Sequence, residues 1–356
     1  MTGDLPSVSI IIPTLNSART LGPCLQSIFE QDFPRDKIEV IVADGGSSDK
    51  TVEIAREYHV VKILSNPLRT GEAGKALGAE MAKNEIVAFI DSDNVLPSPN
   101  WLKAMVRPFK DNQVTGTEPL YYTRRERDPL ITRYCALTGM NDVLCLFLGN
   151  YDRYSYMTGK WTELKVDTVD RGDYLLVQLD EKNIPTMGAN GFLVRAGALK
   201  SVNCNPYLFD IDVIYQLVKT DRNRFAKVKI GIVHLFTDNM ETYVRKTHRR
   251  IRDYLDYEKL RKYPWRRLKK LGILKFVLYT LLIAPLARSL LRGYMKHPDR
   301  AWLFHPIACW ITLLTYGMTY VNKSYRFSHT DGTPRKDTRY SETASRREPS
   351  HTCRTA

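Results

Sequence analysis

The sequence lacks paired cysteine motifs. Its six cysteines, Cys24, Cys135, Cys145, Cys204, Cys309 and Cys353, are scattered, with no CxxC and no Cys/His spacing suited to zinc. That excludes a disulfide framework and a zinc module, and free thiols in a reducing compartment are expected. A secretory signal is not expected either, because Met1 to Pro6 is short, acidic and followed at once by a strand-like run. Also missing are the aromatic-and-basic modules of nucleic-acid binders, so no nucleic-acid partner is expected. Apolar residues are not scarce. With 43% hydrophobic and 26% charged residues over 356 positions, the chain is no disordered protein and can build one large or two ordinary domains. The formal net charge of +14 is uneven: Glu241 to Lys270 holds twelve Lys/Arg against four Asp/Glu. A negatively charged partner is implied there, not everywhere.

The first hundred residues alternate two patterns. Val8 to Ile12, Ile38 to Ala43, Val60 to Leu64 and Ile86 to Ile90 are apolar throughout, as strands covered on both faces should be. Between them Arg19 to Gln31, Asp49 to Tyr58 and Gly71 to Ala82 read as helices. This βαβαβαβ order predicts an α/β fold with a parallel sheet and helices on both faces, and such sheets bind ligands at the carboxyl ends of their strands. Three polar clusters fall at those ends: Pro13 to Asn16, Asp44 to Asp49, and Asp91-Ser92-Asp93. The last belongs to "FIDSDN", two acids one residue apart. Such a stretch can cap a helix or make a turn. It can equally hold Mn²⁺ or Mg²⁺, which keeps places for substrate phosphates.

Residues 8 to 93 resemble the family 2 glycosyltransferases through "SIIIPTLNSARTL" (9 to 21), "VIVADGGSSDKTVEIA" (40 to 55) and "NEIVAFIDSDNVLPSPNWL" (84 to 102). The resemblance implies the glycosyltransferase-A fold, a Rossmann-like, mostly parallel sheet that binds a nucleoside-diphosphate sugar. It implies that Asp44 hydrogen-bonds the nucleotide base, with Pro13, Thr14 and Asn16 in the loop beside it. Asp91 then faces the ribose, Ser92 follows it along the donor, and Asp93 binds an Mn²⁺ or Mg²⁺ ion bridging the diphosphate. A cation there stabilises the charge that grows on the leaving group. Ser17 stands where family members often carry an acid. Lys75, in "TGEAGKALGAEMA", is either a solvated helix lysine or a donor phosphate contact.

Beyond residue 110 the match thins. Tyr121 to Pro185 is rich in Tyr, Arg and Asp, shows little periodicity and is expected to form an insertion over the acceptor side. The resemblance resumes at "MGANGFLVRAGAL" (187 to 199) and "YLFDIDVIYQLV" (207 to 218). Asp210 and Asp212 precede an apolar helical stretch, so helix capping is one reading. The family likeness makes Asp210 the general base, with Asp212 the second choice, although Phe209 replaces the family's Glu. A carboxylate there would deprotonate an acceptor hydroxyl as it attacks the anomeric carbon opposite the diphosphate, an inverting displacement. His234 ends a strand-like run and, by family likeness, completes the metal or diphosphate site. The next segment, "ETYVRKTHRRIRDYL", places Arg245, Arg249 and Arg252 on one helix face. Arg249 is carried as a donor contact, although these arginines could also meet lipid headgroups or water.

Two C-terminal segments are apolar. Twelve uncharged residues lie between Lys275 and Arg288, too few to span a bilayer comfortably, and twenty-two lie between Arg300 and Lys323. Trp265, Trp302 and many tyrosines suit an interface, and all the flanks are basic, which by the positive-inside rule places them on the cytoplasmic side. A pair of helices entering or lying along one leaflet is therefore expected, with 241 to 270 against anionic lipids. The alternative is a buried helical hairpin of a soluble homo-oligomer. The expected organisation is a nucleotide-sugar half (1 to 110), an acceptor half (111 to 240), membrane-associated helices (241 to 327) and a disordered tail (328 to 356). The expected activity is metal-dependent, inverting transfer of a sugar to a hydroxyl of a glycan or lipid-linked acceptor at the cytoplasmic membrane face. A polyprenyl-phosphate glycosyltransferase is the alternative, and a membrane- or nucleic-acid-binding protein with a vestigial site is the non-enzymatic one.

Overall fold

The first four apolar runs pair as parallel strands. In the computed structural model, which describes residues 5–58, 62–264 and 270–329, these are β1 (Val8–Thr14), β2 (Ile38–Asp44), β3 (Lys62–Ser65) and β4 (Ile86–Phe89). The expected start of the third strand, Val60 and Val61, lies outside the described residues. The helices between them are α1 (Ala18–Phe29), α2 (Thr51–Glu57) and α3 (Gly71–Met81). Alternation along β1 sets the layers. Ile10 and Ile12 pack with Leu21, Cys24, Leu25 and Ile28 of α1, whereas Ile11 faces the other side, with Ala76 of α3. α3 lies so close to the sheet that a Cβ on Gly78 would stand 2.4 Å from Cγ2 of Ile11.

The remaining strands are β5 (Asn94–Val95), β6 (Gly116–Tyr122), β7 (Asp167–Asp170), β8 (Tyr174–Gln178), β9 (Phe192–Arg195) and β10 (Arg224–His234). With them come α4 (Trp101–Val106), α5 (Leu130–Thr138), α6 (Leu144–Leu148), α7 (Ala196–Lys200), α8 (Asp210–Val218) and α9 (Met240–Asp256). The sheet runs β3-β2-β1-β4-β9-β6-β10-β8-β7, and β5 pairs with β10 off this path. It is mixed, not mostly parallel. β9 inserts antiparallel between β4 and β6, and the β7–β8 pair adds antiparallel to β10. Beyond β4 only β6 and β10 of the described strands pair in parallel; the other pairings are antiparallel, because helix crossovers, which parallel pairing requires, link only the first four strands in an unbroken series. One sheet therefore joins the expected halves 1 to 110 and 111 to 240, and residues 1 to 316 form one compact unit.

The insertion 121 to 185 is more ordered than its irregular sequence suggests: it contributes α5, α6, β7 and β8. The C-terminal chain forms α10 (Lys270–Leu281), α11 (Ile283–Lys296) and α12 (Phe304–His329). Ile131, Tyr134 and Leu137 of α5 pack with Phe236, Tyr243, Trp302, Phe304 and Ala308 in a third core. Trp302, expected at a membrane interface, is instead fully buried there. No single described helix is long and apolar enough to cross a membrane; α10 and α11 together pass by length and composition, but they are bent by 91°. The helix that carries most of the uncharged stretch 301 to 322 is not apolar enough to cross a membrane, and in the first part of that stretch Trp302, Phe304, Ala308 and Cys309 are buried. α12 continues to His329, so the tail expected from 328 starts inside a helix, and residues 330 to 356 lie outside the described ones.

Candidate active site

The three polar strand ends converge as the sheet register requires. Thr14 lies opposite Asp44 in the β1–β2 ladder, and its hydroxyl donates to Asp44 Oδ1 at 2.9 Å. The same carboxylate accepts from the Gly46 and Ser47 amides at 2.9 and 2.8 Å and from the Ser47 hydroxyl at 2.6 Å. Burial raises this acid, but these hydrogen bonds override it and hold it below the usual carboxylate range. Asp44 is thus the knot of the 44–49 loop. Asn16, in the left-handed region (φ 51°), donates its backbone amide to the Ser47 hydroxyl oxygen at 2.8 Å, and its side-chain Oδ1 accepts from the Ser48 amide at 2.9 Å. Pro13, partly exposed, packs under α3 beside Gly74. Ser17, where an acid was expected, meets the Ser92 hydroxyl at 3.0 Å and so ties the first loop to the acid pair.

Asp91 and Asp93 point to different partners. Lys75, on the inner face of α3 and 5% exposed, stands 3.4 Å from Asp91 Oδ1 and 3.0 Å from Asp210 Oδ1. Burial pulls its ammonium down, but the Asp210 and Asp91 carboxylates more than offset this and hold it above its ordinary value. Asp93 is placed by the short β5–β10 pairing, which sets His234 opposite Asn94, while the Leu235 amide donates to Asp93 O at 2.8 Å. His234 Nε2 lies 3.4 Å from Asp93 Oδ1, and Lys246 Nζ lies 3.3 Å from Oδ2. Burial raises the Asp93 acid, yet His234 and Lys246 hold it far below the usual range.

Asp210 opens α8 beneath the 187–191 loop. Gly188 is in the left-handed region (φ 111°), and a Cβ there would come within 2.9 Å of Asp210, so the loop fits against the acid only as glycine. Burial pushes the Asp210 carboxyl up to about 6; Lys75 opposes this, while Asp91 and Glu72 add to it. That suits an acid that must exchange a proton near neutral pH. Asp212 is spent elsewhere. Two residues on, it faces the other side of the helix, where its oxygens accept the Lys262 and Tyr263 amides at 2.9 and 3.1 Å. The geometry therefore separates the two acids that the sequence left as first and second choice.

Arg249 is not brought to this cluster. It is exposed and pairs with Asp253 at 3.9 Å along its own helix. The α9 residue that reaches the site is Lys246, which sequence reading missed. Tyr243, Thr247 and Arg250 mark the inward face of α9, and spacing of three to four from those residues was the available signal. Asn141 was missed as well. Its Nδ2 lies 3.2 Å from His234 Nδ1, and its Oδ1 is buried without a partner.

Among the described residues no group of three or more His, Cys, Asp and Glu side chains forms a metal cluster. Asp93 and His234 nonetheless fit a divalent ion as a two-ligand site, completed by phosphate and water oxygens as Mg²⁺ or Mn²⁺ sites commonly are. The orphaned Asn141 Oδ1 supports the fit. With that amide turned over, Oδ1 accepts a proton on His234 Nδ1 and leaves Nε2 to present its lone pair beside Asp93.

Residues 9–198 match the family model for glycosyl transferase family 2. The chain belongs to that family. It is 40% identical over 108 residues to glycosyltransferase AglE of Haloferax volcanii, covering 29% of this chain and 35% of the relative. It is 34% identical over 93 residues to the poly(ribitol-phosphate) β-N-acetylglucosaminyltransferase TarS of Staphylococcus aureus, covering 25% and 16%. The matched parts thus span about a third or less of these relatives' own lengths. The fold is similar to that of the mannosyltransferase PcManGT from Pyrobaculum calidifontis, solved with GDP-Man and Mn²⁺, at a TM-score of 0.51, 16% identity and 88% coverage of each chain. The chain is accordingly a family 2 glycosyltransferase enzyme with a mixed α/β sheet of the glycosyltransferase-A type.

Proposed function

We propose that this family 2 enzyme is an inverting, metal-dependent glycosyltransferase that moves a sugar from a nucleoside-diphosphate sugar to a hydroxyl of a glycan or lipid-linked acceptor. The observation that carries the reading is the pairing of two acid sites from different elements. Asp93 sits with His234 and Lys246, while Asp210 sits across Lys75 from Asp91. The first pair takes the donor's diphosphate, with Lys246 presenting an ammonium to it. A bound Mn²⁺ or Mg²⁺ supplies charge neutralisation to the leaving diphosphate. Asp91 and the 14–17 and 44–49 loops orient the nucleoside. On the far side Asp210 accepts the proton of the attacking hydroxyl, and displacement from that side inverts the anomeric centre.

A phosphate acceptor would need no base and would meet the negative charge of Asp210 and Glu72, which lie close enough to influence each other. The polyprenyl-phosphate reading is therefore the weaker one. The test is a thermal-shift screen of UDP-, GDP- and dTDP-linked sugars with and without Mn²⁺ or Mg²⁺, since a ligand that binds only the native state raises its apparent stability. One nucleotide class should raise Tm only when metal is present. No stabilisation by any of them removes the reading.

We place the enzyme on the cytoplasmic face of an anionic membrane. Supporting this, α10 exposes Leu271, Leu274 and Leu278, and α11 exposes Met295, which is 81% accessible. Arg245 and Arg249 of α9 are exposed as well, within the basic segment. Both arginines pair with acids of their own helix, Arg245 with Glu241 and Arg249 with Asp253, and exposed apolar side chains together with exposed positive charge suit headgroups over acyl chains.

A further inference from the structure

We infer that Arg153, from the insertion, is a positioning residue that fixes the distance between the acid pair at 91–93 and the base at 210. The insertion brings Arg153 into the centre of the protein, where its side chain has no exposure. Its Nη1 meets Glu118 Oε2 at 2.7 Å, and Lys227 Nζ meets the same oxygen at 2.7 Å. Asp152 closes the cluster on Arg153 and is itself held by the Thr186 hydroxyl at 3.1 Å. Four charges sum to zero, three of them on side chains with no exposure and the fourth, Asp152, on one that is 13% exposed; such an arrangement costs desolvation and adds little stability over an apolar core. What it delivers is direction.

The other guanidinium nitrogen, Nη2, donates to Ala189 O at 2.9 Å and to Asn190 O at 3.2 Å. Glu118 Oε1 accepts the Gly188 amide at 3.0 Å. The ion cluster therefore grips three consecutive residues of one loop. From that loop two links run outward. Asn190 Oδ1 accepts Asn94 Nδ2 at 3.0 Å, and Asn94 Oδ1 accepts the Asp91 amide at 3.0 Å. Gly188 packs directly on Asp210. Donor acids and acceptor base come from distant parts of the chain, yet both are referenced to the loop that Arg153 holds. A guanidinium fork can serve a carboxylate and two carbonyls at once, and a lysine ammonium cannot keep that geometry.

The inference rests on the proposed reading only for its turnover arm; its structural arm needs no substrate. Hydrogen exchange of the full chain without ligand is compared for wild type, Arg153→Lys and Asn190→Gly. The glycine variant keeps the left-handed backbone at 190 and removes the side-chain link to Asn94, together with the hydrogen bond that Asn190 Nδ2 donates to the Tyr122 hydroxyl at 3.2 Å. Arg153→Lys should speed exchange about tenfold in peptides covering 186–192 and 90–95 while β1 and β2 stay protected. Asn190→Gly should speed it in 90–95. With the nucleotide sugar that most stabilises wild type in the screen above, both variants should lower kcat at least about tenfold and leave donor KM within about threefold. The double variant should be no slower than Arg153→Lys. Wild-type exchange at 90–95 in Asn190→Gly, or loss of protection spread evenly over the sheet in Arg153→Lys, overturns the inference. If Arg153→Lys does not fold, Asn190→Gly decides alone: unchanged kcat and exchange reject the link.

Discussion

Lys75 Nζ stands 3.0 Å from Asp210 Oδ1, so a helix on one face of the sheet supplies the counter-charge for the acid placed to act as base. The same ammonium lies 3.4 Å from Asp91, which makes Lys75 the bridge between donor and acceptor sides and not a free phosphate contact. Replacing it by Gln removes the charge that opposes burial. The Asp210 carboxyl, already at about 6, should then rise further. A base works only when ionised, so the acid limb of the pH–rate profile should move to higher pH, and a limb left in place would separate Lys75 from the base. The linked stability change has a definite sign. With a folded pKa above the unfolded value of about 3.9, the Asp210 contribution is fully present below about pH 4. It is lost as pH rises through about 6.

Asp93→Ala should abolish the metal-dependent part of nucleotide-sugar stabilisation while leaving the fold intact, because its partners His234 and Lys246 sit at the rim of the sheet and not in its apolar core. Lys246→Met should weaken nucleotide-sugar binding at least about tenfold, the scale of a lost hydrogen bond to a charged group. Isothermal titration with and without Mn²⁺ measures both. Metal-dependent binding that survives Asp93→Ala would remove the metal assignment.

The parallel half of the sheet was legible because β1, β2 and β4 are buried on both faces and read as continuous apolar runs. The strand-end acids followed from the same register. The rest was not legible. β9 inserts antiparallel between β4 and β6 through pairings distant in sequence, which no local pattern encodes. The insertion's role was hidden because Arg153 and Asp152 look like surface residues until the fold buries them beside Glu118 and Lys227. Asp210 and Asp212 could not be separated by composition, whereas one helix start turns them apart. Lys246 was overlooked beside the more conspicuous arginines of its own helix.

Truncation before Leu271 would remove the exposed apolar helices but would also strip Trp302, Phe304 and Ala308 from the core around α5. Point charges are the cleaner test. Leu274→Glu with Leu278→Glu, both exposed positions, should abolish sedimentation with phosphatidylserine-containing vesicles without lowering Tm. Arg245→Glu with Arg249→Glu should weaken that binding and its salt dependence. Equal binding of wild type to neutral and anionic vesicles, or none to either, sinks the membrane reading.

Gly78→Ala should lower stability by about 1–3 kcal/mol, the usual cost of overpacking, because the added Cβ meets Ile11 at 2.4 Å. Denaturant unfolding reads it directly. A neutral result would mean that α3 can move off the sheet, taking Lys75 with it.

The most direct measurement of the central claim compares single-turnover transfer by wild type, Asp210→Asn and Asp212→Asn, with donor and metal binding followed on the same samples. Asn keeps the size and hydrogen bonding of the acid and removes the charge that accepts a proton. Asp210→Asn should bind donor and metal as wild type does, lose the acid limb near pH 6, and transfer at least about 10²-fold more slowly, the lower end of what removing a general base costs. Asp212→Asn should lose less turnover and more stability, since its carboxylate holds the Lys262 and Tyr263 amides. Near-normal turnover in Asp210→Asn, at unchanged donor binding, would contradict the account.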